Sequence, residues 1–291
     1  MENRNTKILS DFIFLPRFFQ ALNKFNPTSF GRHWISSKAI RLGVLPKDGI
    51  YKVKSNVCMF LEMKDYIDRS IYFDSFEFNI RKIILNNVKE GGTFIDIGAN
   101  IGYFSLLVSK VVGDEGRIIA FEPNPITIGR LKKNINLNSC GNIELIEVAL
   151  SNEEGEVQLF CPQDETHGFT SMRNQGWQQA EIYKVKTKLL DDVLPVNISS
   201  IDLIKIDVEG AELLVFKGAK STITKFRPKI ILELNENAAK NFGYDILEVV
   251  RLLLSYNPNY KLTFIEEHSS RSITIEELVV YSIRNGNIFF H

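Results

Sequence analysis

The chain has 291 residues, is 44% hydrophobic and carries 35 basic and 35 acidic residues, so its formal net charge is zero. This length and composition are sufficient for one large α/β core, and the charge balance excludes a globally basic surface for nucleic acid. The three cysteines lie far apart and lack CxxC or Cys/His metal spacing, which favours a reduced, cytoplasmic protein over a disulfide-stapled one.

The first 48 residues predict helices with irregular connections. The apolar run Ile8–Leu15 contains Asp11 and ends at Pro16, so it is too short to span a bilayer, and it lacks a small-residue cleavage site. The next segment, Arg17–Phe25, mixes aromatic residues with positive charge and could lie on a membrane surface or against a partner. We favour a helical cap packed on the main domain, because Pro16 and Pro27 interrupt any long amphipathic helix.

Two short segments further along the chain, Tyr51–Lys54 and Val57–Met63, predict strands of a small antiparallel element. Asp74 and Ser75 are the candidate N-caps of the helix that follows. Gly91 marks the end of that helical region.

From Thr93 onward, predicted strands and helices alternate, which indicates a parallel sheet with helices on both faces. The predicted strands are Thr93–Ile97, Arg117–Glu122, Ile143–Val148, Leu203–Asp207, Ile230–Leu234, Lys261–Ile265 and Leu278–Ser282. The predicted helices are Tyr103–Val112, Thr127–Leu137, Ala211–Lys217 and Ile246–Tyr256. The link between the last two strands is polar and loop-like, so we expect an antiparallel hairpin at the sheet edge.

We divide the chain into an N-terminal helical and small β extension, residues 1–72, and a main domain, residues 73–291. The extension is a candidate region for contacts with a substrate or another subunit. Residues 151–200 do not follow the alternation. They contain two strand-like segments, Glu156–Phe160 and Tyr183–Thr187, and predict an inserted hairpin with a long loop, a type of loop that often serves binding.

A glycine turn follows the strand that contains Asp96, in the sequence Asp96-Ile97-Gly98-Ala99-Asn100-Ile101-Gly102. Gly98 permits a sharp turn, and Gly102 permits close approach of the next helix to the sheet or to a ligand. The spacing is GxxxG and lacks the middle glycine that lets a backbone approach a pyrophosphate. The Asp96 carboxylate would repel a phosphate and attract a cation. The turn therefore favours a nucleoside ligand with a positive end, and S-adenosyl-L-methionine is such a ligand.

Glu122 ends the next strand, about 20 residues after the turn, where a carboxylate can accept hydrogen bonds from both ribose hydroxyls. After the third strand, Ala149 or Ser151 is small enough for the backbone to meet an adenine edge. Glu77, upstream of the turn, is a candidate contact for the amino-acid end of the ligand. The alternatives are a solvated acid at Glu122, an ordinary strand end at Ala149 and a helix-start acid at Glu77.

These segments resemble the FkbM-type methyltransferases over roughly half of the chain. The matching motifs are Ile95-Asp96-Ile97-Gly98-Ala99-Asn100-Ile101-Gly102, Phe121-Glu122-Pro123, Val148-Ala149-Leu150-Ser151, Leu190-Asp191-Asp192 and Ile204-Lys205-Ile206-Asp207-Val208-Glu209-Gly210-Ala211-Glu212. The resemblance implies a Rossmann-like class I methyltransferase sheet of seven strands with an antiparallel last strand. It also implies S-adenosyl-L-methionine as cofactor and, usually, a hydroxyl oxygen as acceptor.

The resemblance further implies cofactor contacts, and we add four neighbouring candidates to them. The implied contacts are Asp96, Gly98, Asn100, Gly102 and Glu122. The added candidates are Glu77, Ala99, Pro123 and Ala149. Residues before about Tyr72 match no part of the family, and the family does not fix the acceptor.

The segment Lys205–Glu212 ends the fourth strand and opens a helix, so we expect Asp207 and Glu209 at the edge of the sheet where ligands bind. A carboxylate placed there can act as general base toward an acceptor hydroxyl. The alternative is that Glu209 caps the helix and Asp207 binds loop amides. Glu233 ends the next strand, so Asp207, Glu209 and Glu233 could together hold a divalent cation, with Asn235 as the added candidate ligand. We do not favour this alternative.

The sequence thus predicts a cytoplasmic O-methyltransferase that acts on a saccharide or a small natural product. A nicotinamide-dependent oxidoreductase and a non-catalytic binding protein of the same fold are the alternatives. The missing middle glycine argues against the first, and the intact acids argue against the second. His167, in the inserted loop, could reach over the crevice, although a single loop histidine is more often a surface residue. We expect no nucleic-acid partner, and pairing of subunits through the aromatic N-terminal segment stays open.

Overall fold

The computed structural model describes residues 14–26, 28–162, 169–266 and 269–291. Its strands, in chain order, are β1 (Gly49–Lys52), β2 (Cys58–Leu61), β3 (Thr93–Ile97), β4 (Arg117–Phe121), β5 (Ile143–Ile146), β6 (Ala149–Leu150), β7 (Gly155–Pro162), β8 (Ala180–Lys188), β9 (Leu203–Ile206), β10 (Lys229–Asn235), β11 (Leu262–Ile265), β12 (Ser270–Ile273) and β13 (Asn285–Phe290).

Helices occupy most of the remaining described residues. They are α1 (Phe14–Phe25), α2 (Ser29–Arg41), α3 (Tyr66–Tyr72), α4 (Phe78–Asn87), α5 (Tyr103–Val112), α6 (Pro125–Asn138), α7 (Leu190–Val193), α8 (Glu212–Lys217), α9 (Lys220–Phe226), α10 (Glu236–Asn241), α11 (Leu247–Tyr256) and α12 (Ile275–Val280). Among the described helices, none is long and apolar enough to cross a membrane.

Eight strands form the central sheet, in the order β12-β11-β13-β10-β9-β3-β4-β5. The five strands from β10 to β5 in this order are parallel. The last strand, β13, lies antiparallel between β10 and β11. Because parallel strands end at the same edge, the loops after β3, β4, β9 and β10 converge on one side of the molecule.

The apolar core lies on both faces of this sheet, and alternate residues of β3 show the division. Phe94 packs in a cluster that includes α4 and α5, whereas Ile95 and Ile97 pack in a second cluster that includes α8, α9 and α11. Both clusters exclude water from the parallel strands, which explains the near-continuous apolar sequences of these strands. The sheet therefore provides a rigid base for the loops at its carboxyl edge.

Two polar groups attach the N-terminal helices to the rest of the molecule. The buried side-chain amide of Asn23, on α1, donates to the carbonyl oxygen of Phe73 at 2.5 Å. The carboxylate of Asp74 forms buried ion pairs with Arg32, on α2, and with Arg81, on α4. Since a buried charge is tolerated only when it is paired, these contacts fix the position of both helices.

Most of the predicted strands and helices are confirmed, with ends that shift by one to three residues. The strand Thr93–Ile97 and the helix Tyr103–Val112 have the predicted bounds. The small antiparallel element forms as β1 and β2. The inserted hairpin forms as β7 and β8, which pair antiparallel and join β6 in a separate three-stranded sheet.

The prediction for the C-terminal segment is wrong. Leu278–Ser282 is not a strand, because Thr274 and Glu277 form a capping box that starts α12. Within α12 only Leu278 is buried, as expected for one face of a short helix. The final strand is Asn285–Phe290 instead. The link that we expected to be a loop contains β12, so the sheet has eight strands rather than seven and β11 is not its edge.

The predicted start of α4 is also wrong. Neither Asp74 nor Ser75 caps this helix, which begins at Phe78. Asp74 instead serves the buried ion pairs described above. The residue before the helix, Glu77, adopts a left-handed conformation with φ of 38° and makes no capping hydrogen bond. The carboxylate of Glu77 therefore does not cap the helix.

Candidate active site

A cavity of about 510 Å³ opens at the carboxyl edge of the central sheet. Its size is within the range of small-molecule and cofactor sites. Of the eleven residues that the sequence predicts for the site, nine line this cavity. They are Glu77, Gly98, Ala99, Asn100, Glu122, Pro123, Ala149, Asp207 and Glu209. The other two, Asp96 and Gly102, are not among the lining residues.

The glycine turn after β3 is bound to the adjacent strand. The backbone N–H groups of Gly98 and Ala99 both donate to the carbonyl oxygen of Phe121 at 3.0 Å. Gly98 has φ of +79°, and a Cβ added to it would lie 1.9 Å from the carbonyl oxygen of Asp207. Glycine is therefore required at this position both for the backbone conformation and for the space.

Gly102 is the N-cap residue before α5 and has a left-handed conformation with φ of +86°. A Cβ there would lie 2.3 Å from Cδ1 of Leu131, on α6. The sequence predicted close approach of the helix to the sheet or to a ligand at Gly102, whereas the structure shows close packing against another helix, α6. The contact with cofactor stays a prediction.

Glu122, at the end of β4, is 5% exposed and organises two loops. Its Oε2 accepts the backbone N–H of Asn100 at 2.8 Å, and its Oε1 accepts that of Asn124 at 2.9 Å. Burial raises the pKa of Glu122 to about 7, although the two N–H donors lower it. Each carboxylate oxygen has two lone pairs, so both can still accept a hydroxyl from the cavity.

Asp96, in β3 directly before the turn, is 1% exposed. Its Oδ2 accepts the hydroxyl of Ser105, on α5, at 2.6 Å. Its Oδ1 is buried and has no hydrogen-bond partner within the described residues. Burial raises the pKa of Asp96, and the nearby cation of Lys205 lowers it. An acceptor atom left open at this depth is a place for a bound donor or cation.

Lys205 occupies the adjacent strand, β9, and supplies the positive charge of the site. Its ammonium lies 3.3 Å from Oδ2 of Asp207 and 5.2 Å from the ring centroid of Phe104. Burial by itself lowers the pKa of Lys205, but Asp207, Glu77 and other carboxylates outweigh it and raise the pKa above its usual value. Lys205 therefore stays charged and offsets part of the negative charge around it.

Three carboxylates face one another beside this lysine. One oxygen each of Asp207, Glu209 and Glu233 lies within 4.8 Å of the other two. Burial, followed by the charges of Asp207 and Glu212, raises the pKa of Glu209 to about 8. Burial and then Asp207 raise the pKa of Glu233 well above its usual value. The group can hold a proton, or its oxygens can ligate a divalent cation.

The backbone of Glu209 is held from two sides in a left-handed conformation with φ of 51°. Its carbonyl oxygen accepts the hydroxyl of Ser171 at 2.8 Å and the side-chain amide of Gln175 at 3.0 Å. Both donors come from the segment that connects β7 and β8 of the inserted hairpin. The neighbouring Gly210 N–H donates to Glu212 Oε1 at 3.2 Å. The N-cap of α8 is Ala211 and no side chain caps it, so Glu209 does not have the capping role that was its alternative.

Glu77 reaches the cavity from the segment before α4. Its Oε2 atom is enclosed and has no hydrogen-bond partner within the described residues. Burial raises the pKa of Glu77 to about 7, Lys205 lowers it, and Asp207 and Asp96 raise it. Like Asp96, it leaves an oxygen open toward a cation or a donor.

Sequence reasoning assigned no role to Lys205 or to Glu212. A lysine in the apolar strand Leu203–Ile206 is a signal of a buried charge, because such a residue needs carboxylate partners. Glu212 lies in the recognised motif, but its two backbone hydrogen bonds and its bond to Tyr244 appear only in the folded chain.

The remaining polar candidates are one asparagine and three histidines. Asn235 caps α10 by accepting the backbone N–H of Ala238, so its side chain has a structural use. His33, on α2, lines the cavity, although it was not predicted as a site residue. His167 and His268 lie outside the described residues.

Comparison with known proteins relates this chain to methyltransferases. The 2-O-methyltransferase NoeI of Sinorhizobium fredii is 30% identical over 162 residues, covering 50% of this chain and 65% of that protein. The hexuronic acid methyltransferase AglP of Haloferax volcanii is 25% identical over 178 residues, covering 61% of this chain and 67% of that protein. The chain thus spans about two thirds of the length of these relatives.

Among solved structures, an FkbM methyltransferase of Methylobacillus flagellatus is similar with a TM-score of 0.45 and 18% identity, covering 78% of this chain and 55% of that one. The model of the methyltransferase FkbM domain matches residues 96–261, which is more than half of the chain and includes the glycine turn, Glu122 and the acidic group. This chain therefore belongs to the FkbM methyltransferase family.

Proposed function

We propose that this protein transfers the methyl group of S-adenosyl-L-methionine to a hydroxyl oxygen of a saccharide or a small natural product. The observation that carries the proposal is the convergence of the Gly98 turn, the Glu122 carboxylate and the Asp207–Glu209–Glu233 group on one cavity. The family to which the chain belongs supports methyl transfer. Two relatives, a hexuronic acid methyltransferase and a 2-O-methyltransferase, support a saccharide hydroxyl as acceptor.

Glu122 is the proposed ribose contact. It directly follows β4 and lies beside the turn. In sheets of this kind, a carboxylate at this position accepts hydrogen bonds from the ribose hydroxyls. Its oxygens already hold the backbone of Asn100 and Asn124, so the carboxylate is fixed before the ligand arrives. The turn residues Gly98 and Ala99 would border the nucleoside, and Ala149, across the cavity, would border the adenine.

The open oxygens of Glu77 and Asp96 are the proposed partners of the positive end of the cofactor. S-Adenosyl-L-methionine carries a sulfonium and an ammonium group, and both are stabilised by nearby carboxylates. Glu77 lines the cavity, so we assign to it the ammonium group. Asp96 lies deeper and would act on the same charges through the electric field, in addition to holding α5 through Ser105.

Asp207 and Glu209 are the proposed catalytic residues. A neutral hydroxyl is a weak nucleophile, so a carboxylate that accepts its proton during methyl transfer accelerates the reaction, by about 10²–10⁴-fold. Burial and the neighbouring carboxylates raise the pKa of Glu209 to about 8, which makes it a better proton acceptor than an ordinary glutamate. We propose that Glu209 takes the proton and that Asp207, paired with Lys205, orients the hydroxyl.

The proposed mechanism needs no metal ion, because Lys205 already supplies a positive charge at 3.3 Å from Asp207. The same three carboxylates could ligate a divalent cation, so this part has a direct test. Activity that is unchanged by a chelator supports the proposal, and activity that requires an added divalent cation contradicts it.

Calorimetry with S-adenosylhomocysteine and with NAD, followed by transfer of a labelled methyl group, tests the function. We expect binding of S-adenosylhomocysteine, no binding of NAD, and label in hydroxyl-bearing saccharides or natural products. Absence of S-adenosylhomocysteine binding by folded protein would falsify the proposal. Binding without transfer to any acceptor in a broad panel would instead favour a non-catalytic member of the family.

A further inference from the structure

Helix α1 exposes large apolar side chains to solvent. Its inner side packs against the core through partly buried Leu15 and Phe19. Its outer side carries Phe18, Leu22 and Phe25, which are 59%, 41% and 88% exposed. Because these three residues are spaced four and three apart, they lie on the same side of the helix. A surface helix normally presents polar residues to water on this side.

The second N-terminal helix continues this pattern. Phe30 and Trp34 of α2 are 59% and 58% exposed and lie four residues apart. Lys38 and Arg41 follow at intervals of four and three residues, so they share this side with Trp34. Exposed aromatic residues are therefore placed next to exposed cations along both helices.

The charge of this region is of one sign. Residues 12–47 contain six lysines and arginines and no aspartate or glutamate, in a chain whose formal net charge is zero. Arg32 is used in the buried pair with Asp74. Within the described residues, Arg17 and Lys24 of α1 and Arg41 of α2 form no ion pair.

We propose that the outer sides of α1 and α2 bind the surface of an anionic lipid bilayer. We call this region the N-terminal helical surface, and it consists of Phe18, Leu22, Phe25, Phe30, Trp34, Arg17, Lys24, Lys38 and Arg41. Aromatic and leucine side chains enter the boundary between headgroups and acyl chains, while neighbouring lysines and arginines contact lipid phosphates. Each basic residue near an anionic leaflet strengthens the attraction.

Two other occupants fit these observations less well. A second copy that met this one through the same surface would bring two basic surfaces together without an acidic residue to pair them. Single-stranded nucleic acid is bound in positively charged grooves with aromatic platforms, whereas these side chains project from the outer sides of two helices. An anionic bilayer satisfies both the apolar and the basic residues at once.

The surface adjoins the rim of the candidate active site. His33 precedes Trp34 on α2 and lines the cavity. A protein bound to a bilayer through this surface would hold the rim of its cavity close to the lipid headgroups. The proposal does not depend on methyl transfer, because it rests on the exposed residues of α1 and α2 alone.

Vesicle binding of the full chain tests the proposal. We expect sedimentation with vesicles of phosphatidylcholine that contain about 30% phosphatidylserine and none with phosphatidylcholine alone, and we expect salt above about 0.3 M to weaken binding. The variant Phe18→Ser/Phe25→Ser should lose binding by about tenfold or more. The matched control, Ile182→Ser/Val196→Ser, removes two side chains that are similarly exposed, at 54% and 104%, elsewhere in the chain and should bind as the wild type does.

Fluorescence gives a second measurement on folded protein. The chain has two tryptophans, so the variant Trp177→Phe leaves Trp34 as the sole reporter. Its emission should shift to shorter wavelength when anionic vesicles are added. If the variant Phe18→Ser/Phe25→Ser binds anionic vesicles as tightly as the wild type does, the proposal is overturned. A dimer that these substitutions dissociate, or retention on an oligonucleotide instead of vesicles, would likewise overturn it in favour of a second copy or a nucleic acid.

Discussion

The carbonyl oxygen of Asp207 occupies the space where a side chain of Gly98 would lie, since a Cβ on Gly98 would approach it to 1.9 Å. Gly98 belongs to the turn after β3, and Asp207 follows β9, more than 100 residues later in the chain. The contact joins the proposed cofactor loop to the proposed catalytic loop. A change in one loop therefore acts on the other.

The substitution Gly98→Ala tests this contact. The added Cβ would clash with a backbone atom, and alanine would be held at φ of +79°, so we expect a loss of about 2–4 kcal/mol of folding free energy and a loss of cofactor binding. Denaturant unfolding and calorimetry with S-adenosylhomocysteine measure the two effects. Gly129→Ala is the control, because Gly129 lies exposed in α6 with nothing within 4 Å of its added Cβ and should gain about 0.5–1 kcal/mol. Equal stability of the two variants would contradict the role of the contact.

Substitution of Glu122 tests the ribose contact. Glu122→Gln keeps the size of the side chain but loses its charge and one of its acceptor oxygens, so we expect the dissociation constant for S-adenosylhomocysteine to rise by about tenfold or more. Glu144→Gln, on β5, removes a partly exposed carboxylate that pairs with Arg117 and serves as the control. Affinity that stays at the wild-type value in Glu122→Gln means that the ribose lies elsewhere.

The raised pKa of Glu209 predicts the pH dependence of the reaction. A general base works only when it is deprotonated, so kcat/KM should rise with pH and level off above the pKa of Glu209, about 8. Glu209→Gln should lower kcat by about 10²–10⁴-fold, remove this rise and leave the affinity for S-adenosylhomocysteine unchanged. Fixed-time assays with labelled cofactor between about pH 6 and 9 measure how kcat/KM depends on pH. A profile that is the same in Glu209→Gln would show that another group takes the proton.

The same pKa predicts a pH-dependent stability. The pKa of Glu209 is about 8 in the folded chain and 4.5 in its ordinary state, so folding favours the protonated form. Its contribution to the free energy of unfolding is fully present below pH 4.5 and is lost as the pH rises through about 8. Glu209→Gln should therefore match the wild type at pH 5 and exceed it in thermal midpoint at pH 9, without cofactor. A lower midpoint for the variant at pH 9 would contradict the direction of the shift.

Removal of the buried ion pairs of Asp74 should strongly reduce the free energy of unfolding. Asp74→Ala would leave the guanidinium groups of Arg32 and Arg81 buried without their carboxylate, at a cost of about 3–5 kcal/mol. Urea unfolding measures this loss. Glu156→Ala removes an exposed pair with Lys184 and should leave the free energy of unfolding nearly unchanged. Similar effects of the two substitutions would show that the Asp74 pairs do not hold the N-terminal helices.

The sequence determined the parts of this protein that depend on local pattern. The apolar runs of β3 and α5, separated by the glycine turn, defined both elements to the residue, because burial on both faces of the sheet leaves near-continuous apolar sequence. The GxxxG spacing and the acid at Glu122 indicated a nucleoside site at the carboxyl edge of the sheet. The error at Leu278–Ser282 arose where an apolar, β-branched run was overruled by a capping box four residues earlier.

Only the tertiary structure decided which groups act on one another. It brought Glu77 to the segment that contains Lys205 and Glu209, although no sequence spacing connects the two, and it changed the pKa values of these residues through burial and mutual charge. It also placed Gly102 against Leu131 rather than in the cavity lining. Distances across a sheet depend on strand order and register, which the chain acquires only when its helices and strands pack. Residue types and spacing were therefore sufficient to propose the site residues, whereas the pKa values of these residues depend on the fold.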